Sequence, residues 1–200
     1  MNPEIKKALS FHQKGKLKEA EELYLNILSS YPDDSGILQL LGTLYLQKNN
    51  VELSKNYLEK SFNKDPDNPT TLNNLGNLEK RLGNFDKAKE YFQINIDKNN
   101  FLGSWINKSN LLLQLEKYQE GLEFIKKAIG RYPENIKLKN NYAIFLYNCG
   151  FKRECLDIYK DFDLKKIHFN DSYINYSRIL YLNKSYKEAL FTINKLIFED

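Results

Sequence analysis

The sequence predicts an all-α solenoid of six helix-turn-helix units. A small residue recurs every 33 or 34 residues, at Ala8, Gly42, Gly76, Ser109, Ala143 and Ser177. A second small series has the same spacing, at Ala20, Ser54, Ala88, Gly121, Cys155 and Ala189. Self-similarity at this period is typical of arrays in which each unit buries its apolar face only against its neighbours. Because the repeat covers the whole chain, we predict a single solenoid over residues 1–200.

We place the units at residues 1–34, 35–68, 69–101, 102–135, 136–169 and 170–200. Each is predicted to contain two helices of about a dozen residues, joined by a short turn. Four of these turns are marked by residues that tolerate a left-handed helix exit, namely Gly15, Asn49, Gly83 and Gly150. Units four and six carry Glu116 and Lys184 there, so their turn signal is weaker. Three second helices are expected to end before a proline: Pro32, Pro66 and Pro133.

Small residues are expected to pack against large ones on the paired helix. The large residues that follow the second small series are Tyr24, Leu58, Phe92, Ile125, Tyr159 and Ile193. A small side chain lets two helix backbones approach closely, while a large one fills the remaining space. We therefore interpret Cys155 as a packing residue and expect Trp105 to pack between repeats.

Composition excludes several classes of protein. The chain has 30 Lys and Arg residues against 26 Asp and Glu, a net charge of only +4. This balance argues against nucleic-acid binding, which needs a concentrated, Arg-rich basic face. No stretch approaches the ~20 apolar residues of a membrane span, and no secretory signal is recognisable. Two cysteines neither form a disulfide framework nor supply a metal site. We expect a cytoplasmic protein without cofactor, membrane contact or nucleic-acid partner.

Two units carry a recognisable motif. Unit two has Leu38, Leu41, Gly42, Tyr45, Ser54, Leu58 and Pro66, and unit three has Leu72, Leu75, Gly76, Ala88 and Phe92. This pattern resembles the tetratricopeptide repeat (TPR). The chain departs from it at Glu79, where Tyr is usual, at Lys108, where Leu is usual, and at Lys139, the first bulky position. The resemblance implies a right-handed superhelix whose first helices line a concave groove that binds peptides.

The groove-facing position of the repeat holds an amide in four successive units, at Asn74, Asn107, Asn141 and Asn175. Asn77 and Asn110 extend this stripe, and Tyr147 falls on the same side. An Asn amide offers both a donor and an acceptor, so it can pair with a peptide backbone of any sequence. The alternative is a solvated polar face in a chain rich in Asn. Asn has mediocre helix propensity, so composition alone does not favour an Asn at the same helix position in four successive units. This recurrence favours the binding hypothesis.

Two family precedents bear on the ligand. The four amides at Asn74, Asn107, Asn141 and Asn175, which we call the asparagine ladder, resemble the asparagines that line the TPR superhelix of protein O-GlcNAc transferases and hold substrate backbone. The carboxylate clamp of chaperone-binding TPR proteins matches this chain at Asn77, Asn107 and Lys137. Asn73 and Asn141 stand where the clamp has Lys and Arg, so most of its charge is missing.

No catalytic constellation is recognisable, so we predict that this segment is not an enzyme. We expect a scaffold that binds a peptide or partner protein through Asn74, Asn77, Asn107, Asn110, Asn141, Asn175, Lys137 and Tyr147. The alternative is the N-terminal recognition arm of a larger glycosyltransferase resembling O-GlcNAc transferase. The apolar last helix, which includes Ile193 and Phe198, favours a natural chain that continues beyond Asp200. The partner's identity and the oligomeric state are left open.

Overall fold

The computed structural model describes residues 3–160 and 170–198, and within these ranges the regular structure is entirely helical. The helices are α1 Pro3–Gln13, α2 Leu17–Ser30, α3 Ser35–Gln47, α4 Val51–Lys64, α5 Pro69–Arg81, α6 Phe85–Asn99, α7 Leu102–Gln114, α8 Tyr118–Arg131, α9 Ile136–Asn148, α10 Lys152–Lys160, α11 Asn170–Leu182 and α12 Tyr186–Phe198. These helices confirm the predicted all-α class and the predicted alternation of first and second helices.

The backbone forms two compact units, Met1–Ser104 and Trp105–Asp200. Within the units, helices that follow one another in sequence pack together, as α3 does with α4 and α9 does with α10. Second helices also pack against the next first helix, as α4 does with α5 and α8 does with α9. The prediction of one continuous solenoid concerns the join between the two units, and it stays a prediction.

Three first helices begin at a side-chain cap that recurs with the repeat. Asp34, Asn68 and Asn135 each accept a hydrogen bond from a backbone N–H two or three residues ahead, at 2.9 to 3.1 Å. Such caps satisfy N–H groups that have no partner inside the helix. Pro69 follows the Asn68 cap, where the missing N–H of proline costs nothing. Part of the high Asn content therefore serves to start helices.

The turn inside each repeat passes through a residue with left-handed backbone. The φ angles are 73° at Gly15, 59° at Asn49, 80° at Gly83, 54° at Glu116, 92° at Gly150 and 64° at Lys184. The turns at Gly83 and Glu116 close with the same two backbone hydrogen bonds, of 3.1 and 2.9 Å. The weaker turn signals at Glu116 and Lys184 thus leave the geometry unchanged. Glu116 and Lys184 add the energetic cost of a Cβ atom in a left-handed backbone conformation.

Helix pairs approach so closely that some contacts leave no room for a side chain. A Cβ atom added to Gly76 would lie 2.4 Å from the ring of Phe92, which is fully buried. In the second unit, a Cβ atom on Gly121 would lie 2.0 Å from the ring of Phe145, which belongs to the next repeat. The predicted packing of small residues against large ones is confirmed, both within a repeat and between neighbouring repeats.

The residues that depart from the TPR pattern find local partners. Glu79 is buried in place of the usual Tyr, and its carboxylate accepts a hydrogen bond from the Asn84 side chain at 2.7 Å. The Lys108 ammonium lies 5.0 Å from the centre of the Phe124 ring, a cation–π distance. Trp105 stacks on the same ring, with 5.0 Å between ring centres. This contact of Trp105 lies within repeat four, so the predicted packing of Trp105 between repeats stays a prediction.

Both cysteines are free thiols. Cys155 is fully buried, and burial raises its pKa to about 12, which makes it unreactive near neutral pH. Its predicted packing role is confirmed. No group of three or more His, Cys, Asp or Glu side chains within residues 3–160 and 170–198 could hold a metal ion.

Two sequence-based expectations fall outside the described residues. One is a short second helix in unit five, which the sequence of residues 161–166 predicts. The other concerns the side chains at the apolar end of the last helix, including Phe198.

We expect Gly76→Ala to lower the free energy of unfolding by about 1–3 kcal/mol, because the buried Phe92 ring cannot yield to a methyl group. Gly130 in α8 is the matched control, since an added Cβ atom there meets nothing within 4 Å. Gly130→Ala should raise the free energy of unfolding by about 0.5–1 kcal/mol. Urea unfolding followed by circular dichroism measures both variants. If both substitutions changed the free energy of unfolding in the same direction, the close contact between Gly76 and the Phe92 ring would be contradicted.

We expect Glu116→Gly to raise the free energy of unfolding by about 0.5–1 kcal/mol. Glycine removes the strain of a left-handed turn, and part of that gain is lost to the greater freedom of the unfolded chain. Gly83→Ala at the equivalent turn should have the opposite sign and cost about 1 kcal/mol. The comparison uses the midpoints of thermal or urea unfolding. A destabilised Glu116→Gly protein would mean that the carboxylate makes a stabilising contact.

Candidate functional site

Three first helices of the second unit, α7, α9 and α11, border a groove with two adjoining pockets. The first has a volume of about 380 Å³ and is lined by Ile106, Asn110, Leu113, Lys137, Asn140, Asn141, Ile144, Ile174 and Asn175. The second has a volume of about 270 Å³ and is lined by Leu113, Tyr118, Ile144, Tyr147, Asn148, Asn175, Arg178, Ile179 and Leu182. Three residues line both pockets, namely Leu113, Ile144 and Asn175. We call this continuous surface the polar groove.

The lining of the polar groove follows helical spacing. α9 contributes Lys137, Asn140, Asn141, Ile144, Tyr147 and Asn148, and α7 contributes Ile106, Asn110 and Leu113. Residues three or four positions apart on a helix share one face, so each of these helices presents a single stripe. The amides lie between aliphatic side chains on the same stripe. The surface can therefore hydrogen-bond a ligand and also cover its apolar parts.

Five of the eight residues predicted from sequence line the polar groove: Asn110, Lys137, Asn141, Tyr147 and Asn175. Asn107 is half-buried on α7 and does not belong to the lining of either pocket. Asn74 and Asn77 lie on α5 in the first unit, where Asn74 is buried. The structure thus brings together five predicted residues from repeats four, five and six, and leaves Asn107 of repeat four outside the two pockets.

Sequence reasoning missed the second cation of this site. Arg178 on α11 was not predicted, although it lies three residues after Asn175 and so shares its face. Asn140, which the sequence places in the same stripe of asparagines as Asn141, also lines the first pocket. The signal that could have found Arg178 is the three-and-four spacing around residues already chosen.

The ladder asparagines use their amide groups to join neighbouring repeats. Asn74 Nδ2 donates to Thr43 Oγ1 at 2.7 Å, from α5 to α3. Asn141 Nδ2 donates to Asn110 Oδ1 at 2.6 Å, from α9 to α7, at the equivalent place in the repeat. Asn175 Nδ2 approaches Asn140 at 3.3 Å, from α11 to α9. The ladder is therefore a set of bonds between repeats as well as part of a polar surface.

One chain of hydrogen bonds runs from a backbone carbonyl to the polar groove. The buried Ser109 hydroxyl donates to the Ile106 carbonyl at 2.8 Å. The Ser109 oxygen accepts from Asn141 Nδ2 at 2.8 Å, and the same Nδ2 also donates to Asn110 Oδ1. An amide nitrogen carries two hydrogens, so both donors of Asn141 are used inside the protein. Asn141 stands at one of the cationic positions of the carboxylate clamp, and its remaining polar atom is an acceptor.

A second chain of hydrogen bonds starts in the core. Tyr159 is 1% exposed, and its hydroxyl donates to Asn140 Oδ1 at 3.0 Å. Burial raises the pKa of Tyr159, so this hydroxyl remains a donor across the physiological range. Asn140 Oδ1 also accepts from Asn175 Nδ2. The Asn140 oxygen thus accepts two hydrogen bonds, and neither of them uses the Asn140 amide nitrogen.

The described lining of the polar groove carries two cations, Lys137 and Arg178. The described residues that line the two pockets include no Asp or Glu. A third cation lies close by, because the Lys152 ammonium is 5.8 Å from the centre of the Tyr147 ring. A cation over one face of Tyr147 restricts ligand stacking to the other face.

The helix pairs, the left-handed turns and the glycine contacts under aromatic rings define a helical-repeat protein. Residues 35–68, 69–93 and 102–135 match the family model described as Tetratricopeptide repeat. The chain contains tetratricopeptide repeats over these residues. Proteins of this fold generally act as scaffolds that bind other proteins or peptides.

Two curated proteins share sequence with part of this chain. "Anaphase-promoting complex subunit CDC16" of Saccharomyces cerevisiae is 27% identical over 142 residues, which cover 66% of this chain and 17% of that protein. "Protein O-mannosyl-transferase TMTC1" of Homo sapiens is 28% identical over 137 residues, which cover 64% of this chain and 15% of that protein. The chain therefore spans less than a fifth of the length of either relative.

Solved structures share the fold. The Pseudomonas aeruginosa pilF structure superposes with a TM-score of 0.82 at 16% identity, covering 98% of this chain and 90% of that chain. The YrrB structure, described as a TPR protein with an unusual peptide-binding site, has a TM-score of 0.64 at 16% identity. It covers 87% of this chain and 90% of that chain. Among the described helices, none combines the length and apolar character that crossing a membrane requires.

We expect Asn141→Ala to lower the free energy of unfolding by about 1–3 kcal/mol. The change removes two hydrogen bonds made by a residue that is 5% exposed and leaves their partners without a donor. Asn148→Ala on the same helix is the control, because Asn148 is exposed and bonds only to its own helix, at Ile144 O. Its stability should be unchanged or slightly higher. Equal stability of the two variants, measured by urea unfolding, would show that the ladder bonds are not structural.

Proposed function

We propose that the protein is an interaction scaffold that binds a peptide or partner segment in the polar groove. On this proposal the segment itself is not catalytic and the protein acts in the cytoplasm. The observation that carries the proposal is the groove itself, in which five predicted residues, together with Arg178, line adjoining pockets of about 380 and 270 Å³.

The chemistry of the lining fits a polypeptide ligand. Asn110, Asn140, Asn141 and Asn175 supply amide groups that can pair with backbone N–H and C=O groups. Aliphatic side chains such as Ile106 and Ile144 lie between them and can cover apolar parts of the ligand. A site that mixes apolar surface with a few oriented polar groups is the usual composition of a binding pocket.

The relatives and the fold support a binding role. CDC16 is named as a subunit of a complex, and YrrB is described as having a peptide-binding site. We infer a binding role for this chain from the polar groove and not from overall similarity, because fold alone does not define function.

We expect that 12-residue peptides selected from a random phage library against the full chain bind in the polar groove. Ile174→Trp tests this, because Ile174 is 47% exposed and lines the first pocket, so the indole would fill space without disturbing the core. Synthetic, fluorescein-labelled hits should lose about tenfold or more in affinity by fluorescence anisotropy, equal to about 1.4 kcal/mol.

The control is Lys127→Trp, which places the same indole at an exposed position of the second helix α8. Peptide affinity should be unchanged in this variant. If the selected peptides bind Ile174→Trp as tightly as the original chain, the groove is not the binding site.

A second candidate function is the recognition arm of a larger glycosyltransferase, in the manner of O-GlcNAc transferase. The observation that favours it is the 28% identity to a protein O-mannosyl-transferase, of which this chain covers 15%. The intact mass of the protein from its native host tests it. A mass well above 23.6 kDa, with a transferase sequence in the additional part, is the expected result. A mass of 23.6 kDa would overturn this candidate and leave the scaffold proposal standing.

A further inference from the structure

We propose that two copies of this chain pair through an apolar patch on the last repeat, with the patch of one copy against the same patch of the other. The patch consists of Tyr181 on α11 and of Tyr186, Leu190 and Phe191 on α12, and we call it the terminal patch. Neither pocket of the polar groove is lined by any of these four residues, so the inference is independent of the proposed peptide binding.

The terminal patch is a concentration of exposed apolar side chains. Its four members are 56–65% exposed, and the rings of Tyr181 and Tyr186 meet with 5.3 Å between their centres. Of the ten large apolar side chains that are exposed among the described residues, six lie on α11 and α12. Single apolar residues scattered over a surface need no explanation, whereas a cluster of this kind marks a surface that another macromolecule covers.

Leu190 occupies a position that contacts the following repeat elsewhere in the chain. In repeat one this position is Glu21, whose carboxylate accepts a hydrogen bond from the Lys48 ammonium of repeat two at 2.5 Å. In repeat four it is Leu122, which is buried where α9 of repeat five packs against α8. Leu190 has the same side chain as Leu122, but it is exposed. The position is thus suited to a packed helix and lacks one in the described part of the chain.

Phe191 indicates that the surface to be covered is broader than the contact between two repeats. The equivalent residues of the five preceding repeats are all polar and exposed: Glu22, Asn56, Glu90, Glu123 and Asp157. A following repeat therefore leaves this side of the second helix in water. One more repeat would cover Leu190 and leave Phe191 exposed, whereas a second protein surface laid across α12 can cover both.

The first helix of a second copy does not fit the terminal patch. In repeat five, Phe145 of the first helix lies over Gly121, the counterpart of Ala189 on α12. The residue of α1 that is equivalent to Phe145 is Ser10, and Lys6 precedes it by one turn on the same face. This composition disfavours a head-to-tail contact, which would also generate open filaments. The surface of a second copy that offers large apolar side chains on two adjoining helices is its own terminal patch.

The size and chemistry of the terminal patch fit a symmetric pair. With about 150–250 Å² for each aromatic side chain, the exposed parts of the four residues present roughly 450 Å². A stable interface buries about 800 Å² on each partner, and about 65% of a homodimer interface is apolar. The patch therefore supplies most of the apolar area that such an interface requires. It contains no ionised side chain, so no like charges meet at its centre when two copies pair.

Sedimentation velocity of the full chain between about 1 and 200 µM tests the pairing. We expect the mass to rise from 23.6 kDa toward twice that value within this range. Two-fold symmetry places each substitution in the interface twice, so Leu190→Glu and Phe191→Glu should each weaken association at least about tenfold. A chain that stays monomeric at every concentration would overturn the proposal and leave a different protein or a further helical segment to cover the patch.

Leu25→Glu is the matched control. Leu25 is also an exposed leucine on a second helix, but it lies on α2, outside the terminal patch. Association of Leu25→Glu should equal that of the unaltered chain, with circular dichroism confirming that every variant is folded. If Leu25→Glu weakened pairing as much as Leu190→Glu, the dimer would not form through the terminal patch.

A mixture of two variants tests the symmetry of the pair. Leu190→Glu and Leu190→Lys should each stay monomeric at concentrations at which the unaltered chain pairs, because like charges would face each other across the two-fold axis. An equimolar mixture should restore pairing, because the facing charges then have opposite signs, and this restored pairing should weaken as salt rises. A mixture that stays monomeric would overturn the patch-to-patch arrangement.

Discussion

Contact between helices at positions with no room for a side chain is the constraint on which the rest of the structure depends. The Phe92 ring occupies the space in which a Cβ atom of Gly76 would stand, and Phe145 does the same over Gly121. Each contact fixes how far apart two helices lie and how they are rotated. The rotation of α9 determines which stripe it presents to the polar groove, so the position of the groove-lining amides depends on glycines that lie outside the groove lining.

The amides of the second unit take part both in the packing between repeats and in the lining of the polar groove. Hydrogen bonds from α9 to α7 and from α11 to α9 join neighbouring repeats, and the atoms that take part lie at the edge of the polar groove. In a repeat array, stability comes from each unit and from its interfaces with its neighbours. Residues such as Asn141 therefore contribute to the interface energy and to the chemistry of the surface, and a single substitution affects both.

The fold could be predicted from the sequence almost completely, because a period of 33 or 34 residues and the two small-residue series constrain it at every unit. The site could be predicted only in part. Asn110, Asn141 and Asn175 were found because an amide repeats there, whereas Arg178 stands at the repeat position of Asn77 and Asn110 and breaks the amide pattern. Which amide atoms are already used could not be predicted, because it depends on distances between helices. The turn at Glu116 shows that backbone hydrogen bonds can impose a left-handed conformation that the residue type does not favour.

The hydroxyl of Ser109 has a consequence for how such groove surfaces diverge. The equivalent small residues elsewhere in the chain include Ala8, Gly42, Gly76 and Ala143, none of which can orient an amide. Exchanging serine for alanine at this buried place would remove one hydrogen-bond partner of Asn141 without altering any residue that lines the polar groove. Two related proteins with identical groove linings would then present different polar atoms there, and a comparison of surface residues alone would not distinguish them.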